Sequence, residues 1–275
     1  MNIDVAFGQY FEGDSIIHRL DPRFKLIMTV LAIVVIFLAK NIFSFLLILL
    51  VTMTMILMTG IPPKIILKGM KSLLFIIVFT ALINIFWLKG ETLLVNIGFI
   101  HIYLEGIINA FLIVFRIAVL LVSTSILLTY TTTPLSLTDG LEQLLSPLAK
   151  IRVPVHDFSM MMTIALRFIP TLIEETNKIM NAQTARGASF SEGNILKRAK
   201  ALIPVLIPLL VSSFRRAAEL ANAMECRCYT GGEGRTRMNV LKSGPKDYAA
   251  VLFVIGLGAA VILINRYAPG YNLKL

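Results

Sequence analysis

From Leu26 to the residue before Lys64 the chain carries one charge, Lys40, and between Glu105 and Asp139 it carries one more, Arg116. Runs of that length have nothing to gain in water, whereas a bilayer core takes about 20 apolar residues per helix. The whole chain agrees: 57% of its 275 residues are hydrophobic and 15% are charged, against about 25% charged in soluble domains. The expected fold class is therefore an all-α integral membrane protein, with about five transmembrane helices and further long helices outside the bilayer. The first 25 residues, mixed and partly acidic (Asp4, Glu12, Asp14, Asp21), do not read as a cleavable leader.

Breaks within the runs set the spans. Lys40-Asn41 splits the first run into spans of about 26–40 and 42–59, and Lys25 and Lys40 are expected to snorkel and widen the short first one. Ile61-Pro62-Pro63 ends the second, because proline lacks an amide and restrains the residue before it. Further spans fall at about 72–88, closing on the single tryptophan, Trp87, and at about 107–130 and 248–265. Between the third and fourth, Asn96-Ile97-Gly98 reads as a hairpin turn outside the bilayer. The organisation expected is a membrane domain at 1–130, a cytoplasmic helical domain at 131–246 and a C-terminal transmembrane helix at 247–275.

Basic residues set the orientation. Arg19, Arg23 and Lys25 precede the first span, Lys40 alone follows it, Lys64, Lys68 and Lys71 follow the second, and Lys89 alone follows the third. Residues 131–246 hold fifteen lysines and arginines against nine acids. The alternation places the N-terminus and the large loop in the cytoplasm of a multi-pass cell-membrane protein. The net charge of +10 is thereby a topology signal, and no nucleic-acid partner is implied.

Within the large loop, residues 156–186 read as one long helix kinked at Pro170 and stopped by Gly187, and 194–227 as a second, bent at Pro204 and Pro208. Ala201–Leu210 is apolar all round and too short to span. Both helices end alike. An arginine (Arg186, Arg227) follows an alanine by four residues and a charge pair by eleven and twelve: Glu174-Glu175 in one, Arg215-Arg216 in the other. The opposite pairs are expected to hold the two helices together.

Several candidate sites can be weighed. Cys226 and Cys228, the only cysteines, flank Arg227, but zinc needs about four ligands and His18, His101 and His156 are scattered; small packing residues are the plainer reading. Arg186 and Arg227 are either solvated arginines or five-donor contacts for a partner's carboxylates and carbonyls. Thr230–Arg237 (TGGEGRTR) lacks the Gly-Lys-Ser/Thr ending of a phosphate loop. Arg116 faces either a polar seam near Asn84 or another subunit. Met160, Met161 and Met162 suit an adaptable apolar surface. No catalytic constellation is present in the sequence, which disfavours an integral membrane enzyme, and a self-contained secondary transporter would call for paired intramembrane charges or broken helices.

GDSIIHRLDPRFKL (13–26), TTTPLSLTDGLEQLLSPL (131–148), PVHDFSMMMTIALRFIPTLIEETNKIMNAQTARGASF (154–190) and YTGGEGRTRMN (229–239) together resemble the transmembrane T component of energy-coupling factor (ECF) transporters, most closely the shared-module type. The resemblance implies a non-catalytic coupling subunit of an ATP-driven vitamin or micronutrient importer. It implies two ABC-type ATPase subunits that carry ATP and magnesium, and a small substrate-binding membrane subunit, the S component. In that family two cytoplasmic coupling helices each end in an Ala-Arg-Gly motif that docks on an ATPase. Ala185-Arg186-Gly187 matches the first; Cys226-Arg227-Cys228 keeps only the arginine of the second. Glu174, Glu175, Arg215 and Arg216 then support the coupling helices, and Met160, Met161, Met162, Pro204 and Pro208 are candidates for contact with the S component.

Overall fold

The computed structural model describes residues 10–11, 13–71, 73–87, 93–97, 100–151, 153–190, 194–231 and 241–267. The chain divides into two compact units, residues 1–143 with 241–275, and residues 144–240.

The first unit begins with α1 (Pro22–Leu38) and α2 (Ile42–Thr59). After them come a short amphipathic α3 (Pro63–Lys71) and α4 (Leu74–Trp87), bent from one another by 64°. Helix α4 falls within the third span expected at about 72–88, and Lys64, Lys68 and Lys71 lie before it on α3. Strands β1 (Leu93–Ile97) and β2 (Ile100–Tyr103) pair antiparallel, as the hairpin expected there, its Gly98 tip lying outside the described residues. Next, α5 (Leu104–Thr124) runs on through a π-helical turn at Ser125–Tyr130. Then α6 (Pro134–Leu145) crosses the unit boundary, and α9 (Pro245–Tyr267) closes the unit. The second unit holds a 3-10 turn (Ser146–Ile151), α7 (Val155–Ala185) and α8 (Ile195–Glu225). Both long helices run without interruption through their internal prolines, Pro170 in one and Pro204 and Pro208 in the other.

Among the described residues α2, α5 with its π turn, α8 and α9 are long and apolar enough to cross a membrane, and the bent α3–α4 pair makes a fifth. Two elements bear on the expected spans. The 17-residue α1 is about 26 Å long, under the roughly 30 Å of a hydrocarbon core. The apolar stretch of α8, in turn, is longer than Ala201–Leu210. Its charge-free part, Ala201–Phe214, still measures only about 21 Å.

The core of the first unit is apolar packing between α1, α2, α5 and α9, with Ile36, Ile48, Ile126 and Val261 almost fully enclosed. Gly258 lets α9 approach α1, since a Cβ there would lie 3.0 Å from Val35, and Gly140 does the same for α6 against Pro22. Polar side chains close the helix ends. At the start of α1, Asp21 caps the Arg23 amide and grips the Arg23 guanidinium at 2.7 Å, which in turn donates to the Leu241 carbonyl. Burial alone would raise the Asp21 carboxyl, but the Arg23 guanidinium and amide hold it below the usual carboxylate range. Asp247, also buried, accepts from the Asp21 and Gly244 amides and ties α9 to the same corner.

Lys25 does not snorkel. It is 1% exposed, and its Nζ donates to the His18 carbonyl at 3.2 Å, the Thr131 carbonyl at 2.8 Å and the Thr132 hydroxyl at 3.1 Å. An ammonium has three donors and all three are used, which draws the N-terminal segment and the end of the π turn onto α1. At the other end of α1, the last carbonyls lack helical partners. Asn265 Nδ2 donates to Leu38 and Arg116 Nη2 to Ala39. Arg116 also stands over the Phe45 ring at 5.3 Å. Of the two placements expected for Arg116, the polar one is met at the end of α1 and not by Asn84, whose Nδ2 donates to the Thr80 carbonyl of its own helix.

Replacing Lys25 by methionine removes the ammonium donor from the buried Thr131 carbonyl and the part-buried His18 carbonyl, while the Thr132 hydroxyl keeps its bond to Leu127. Lys25→Met is expected to lower stability by about 3 kcal/mol, read as a fall in the thermal midpoint of the detergent-solubilised chain; an unchanged midpoint would show that these bonds contribute nothing net.

Candidate functional site: two arginine-tipped helices

α7 and α8 pack on each other, and one ion pair marks their contact: Arg216 Nη2 lies 2.6 Å from Glu175 Oε2, both side chains under a third exposed. Each charge comes from one of the two opposite pairs singled out in the sequence. The other members, Glu174 and Arg215, are exposed and form no ion pair with described residues. Beside the pair, Ile164, Phe168 and Leu172 of α7 and Leu220, Ala221 and Met224 of α8 line an apolar groove of about 290 Å³. Packing along this groove carries most of the attachment, since a half-solvated ion pair adds about 1 kcal/mol or less.

The helix tips share one geometry. At the end of α7 the Gly187 amide donates to the Thr184 carbonyl and the Ala188 amide to the Gln183 carbonyl. At the end of α8 the Cys228 amide donates to Glu225 and the Tyr229 amide to Met224. Both are Schellman closures, in which a residue past the end turns left-handed so that two amides can reach back to orphan carbonyls. Gly187 supplies that turn in one helix with φ of +89°, and Cys228 supplies it in the other with φ of +56°. Cys228 is the only non-glycine residue with positive φ among the described residues. An L side chain in this conformation costs about 1–2 kcal/mol, and the two returning bonds offset it. The loss of glycine therefore leaves the backbone shape intact.

That closure puts Arg186 and Arg227 at equivalent positions, each the last residue before the left-handed one, and both are exposed. A cation there is favoured by the negative end of the helix dipole. Ala185 and Cys226 sit one residue earlier, both exposed. The two thiols are free and exposed, so they do not pack as the sequence suggests. Most of Thr230–Arg237 lies outside the described residues. Met161 and Met162 are exposed and Met160 half-buried on α7. On α8, Pro204 and Pro208 lie within an exposed apolar face with Ile203, Leu206, Ile207 and Leu210. Two side chains with architectural roles escaped the sequence reading, Asn265 and Asp247; an isolated amide and acid at the two ends of an apolar helix were the available signal.

These features define a polytopic helical membrane protein that presents two arginine-tipped helices and an extended apolar face. Residues 13–238 match the family model described as cobalt transport protein (CbiQ). The chain is 53% identical to the energy-coupling factor transporter transmembrane protein EcfT of Ruminiclostridium cellulolyticum over 87% of this chain and 89% of that one. It is 48% identical to the EcfT of Clostridium kluyveri (94% and 96% covered) and 45% identical to that of Bacillus subtilis (95% and 98% covered). The chain belongs to this family of transmembrane components of energy-coupling factor transporters.

Two outcomes follow for the tips and the brace. Cys228→Gly should relieve the left-handed strain and slow amide exchange at Tyr229 by about fivefold, with Cys228→Val moving it the other way; equal rates in all three would show that the closure is not strained. Glu175→Arg should loosen α7 from α8, and the added Arg216→Glu should restore the parental protease resistance of the second unit. A double variant as labile as the single one would mean that the ion pair does not matter.

Proposed function

We propose that the chain is the mechanical coupling subunit of an ATP-driven vitamin or micronutrient importer, gripping one ABC-type ATPase subunit through each arginine-tipped helix. The observation that carries this reading is the repetition of one closure at two helix ends, each presenting a guanidinium on a fixed backbone. Five donors in a rigid plane suit a pocket of carboxylates and carbonyls, and a pre-set backbone reduces what must be ordered on docking. The chain's own part is non-catalytic: ATP and magnesium belong to the partners, and Ala185, Arg186, Gly187, Cys226, Arg227 and Cys228 form the grips.

The exposed apolar faces around Met160, Met161 and Met162 and around Pro204 and Pro208 fit the other partner, a small substrate-binding membrane subunit. Methionines repack against differing surfaces, as a component serving several such subunits requires. In this reading α1 crosses the bilayer with help from its polar-closed ends. Helix α8 lies along the membrane instead, because crossing would sink Arg215 and Arg216 or the basic cluster Lys197, Arg198 and Lys200. The N-terminus and residues 131–246 are then cytoplasmic. Motion reaches the substrate subunit only if the ATPase states differ in their contacts with the tips, since equal contacts shift no population.

Arg186→Glu or Arg227→Glu should reduce co-purification of the ATPases by about thirtyfold or more, as loss of an interface hot spot of 2 kcal/mol or greater implies, and abolish uptake in reconstituted vesicles. Full co-purification and uptake in both variants would remove the proposed grips. Uptake by the chain alone, without any ATPase, would favour a self-contained secondary transporter.

A further inference from the structure

α1 and α2 follow one another in sequence, yet beyond their shared turn they pack mainly on α5 and α9 rather than on each other. Between them lies an apolar slot of about 200 Å³, walled by Met28 and Val35 of α1, Val51 and Met55 of α2, and Phe253 and Leu257 of α9. Thr52, one of its few polar wall residues, returns its hydroxyl to the Ile48 carbonyl of its own helix. A wall of this kind suits hydrocarbon and offers water little.

The slot has one charged end. Lys246, in the first turn of α9, lines it there, is exposed, and forms no ion pair with any described residue. Its acidic neighbour Asp247 is buried and committed to the Asp21 and Gly244 amides. From Lys246 to Leu257 the helix rises about 16 Å, close to half of a hydrocarbon core of roughly 30 Å. A cation at one end and an apolar passage one leaflet deep match the two parts of a phospholipid.

We propose that this slot binds one acyl chain of an anionic phospholipid, with the headgroup phosphate on Lys246. The chain fills space that α1 and α2 leave between them, so the lipid acts as a structural component of the first unit. This assignment is independent of what α7 and α8 grip.

The test uses the purified full chain in detergent and a phosphatidylglycerol carrying a diazirine midway along one acyl chain, with adducts mapped by peptide mass spectrometry. Adducts should concentrate on Met55 and Phe253. The phosphatidylcholine analogue should label them less, and Lys246→Glu should lower phosphatidylglycerol labelling about fivefold or more, as removing a lysine near an anionic headgroup implies. Adducts spread over the outward-facing Leu46, Phe75 and Phe79, or equal labelling in Lys246→Glu, would overturn the proposal. So would cross-links between two copies of the chain at the slot. Mapping on the unaltered chain keeps the result readable even if the variant folds poorly.

Discussion

A helix that stops leaves several carbonyls with no helical partner, and in an apolar medium each must find a donor or destabilise the fold. This chain answers at each critical end. Arg116 and Asn265 reach the last carbonyls of α1 from two other helices, so one short helix becomes the joint between α2, α5 and α9. Lys25 closes a corner 106 residues away in sequence. At the tips of α7 and α8 the donors come from the backbone itself. There the side chain of the terminal arginine is spared that task and stays available to a partner.

The contrast between the two units follows from this. In the first, three buried or half-buried cations are consumed internally: Arg23, Lys25 and Arg116 all bond to carbonyls of the same unit. In the second, Arg186 and Arg227 are exposed. In the proposed coupling role, α7 and α8, each 31 residues and continuous through their internal prolines, would act as rods carrying displacement from their tips.

Much of this architecture was legible because charge is so sparse. Runs with one lysine or one arginine bound the spans to within a few residues, and Gly187 announces the end of α7. The equivalent end of α8 was harder, since left-handed closure without glycine has no sequence signature, and only the returning amides of Cys228 and Tyr229 reveal it. Lys25 was misread for a related reason. A lysine at a span margin ordinarily snorkels, and its acceptors on Thr131 and Thr132 come into reach only through the tertiary fold. The Glu175–Arg216 pair could be anticipated because both helices place opposite charges at the same distance from their tips; which members meet is decided by packing.

The most direct test of the coupling account is a distance. Spin labels at Thr184→Cys and Ala223→Cys, exposed sites shortly before the two arginines, would be placed in a Cys226→Ala, Cys228→Gly background of the assembled transporter in lipid. Pulsed electron resonance would then compare the ATP-trapped and nucleotide-free states. The account predicts two distinct label-to-label distances that follow the nucleotide. One distance, unchanged between the states while uptake proceeds, would contradict it.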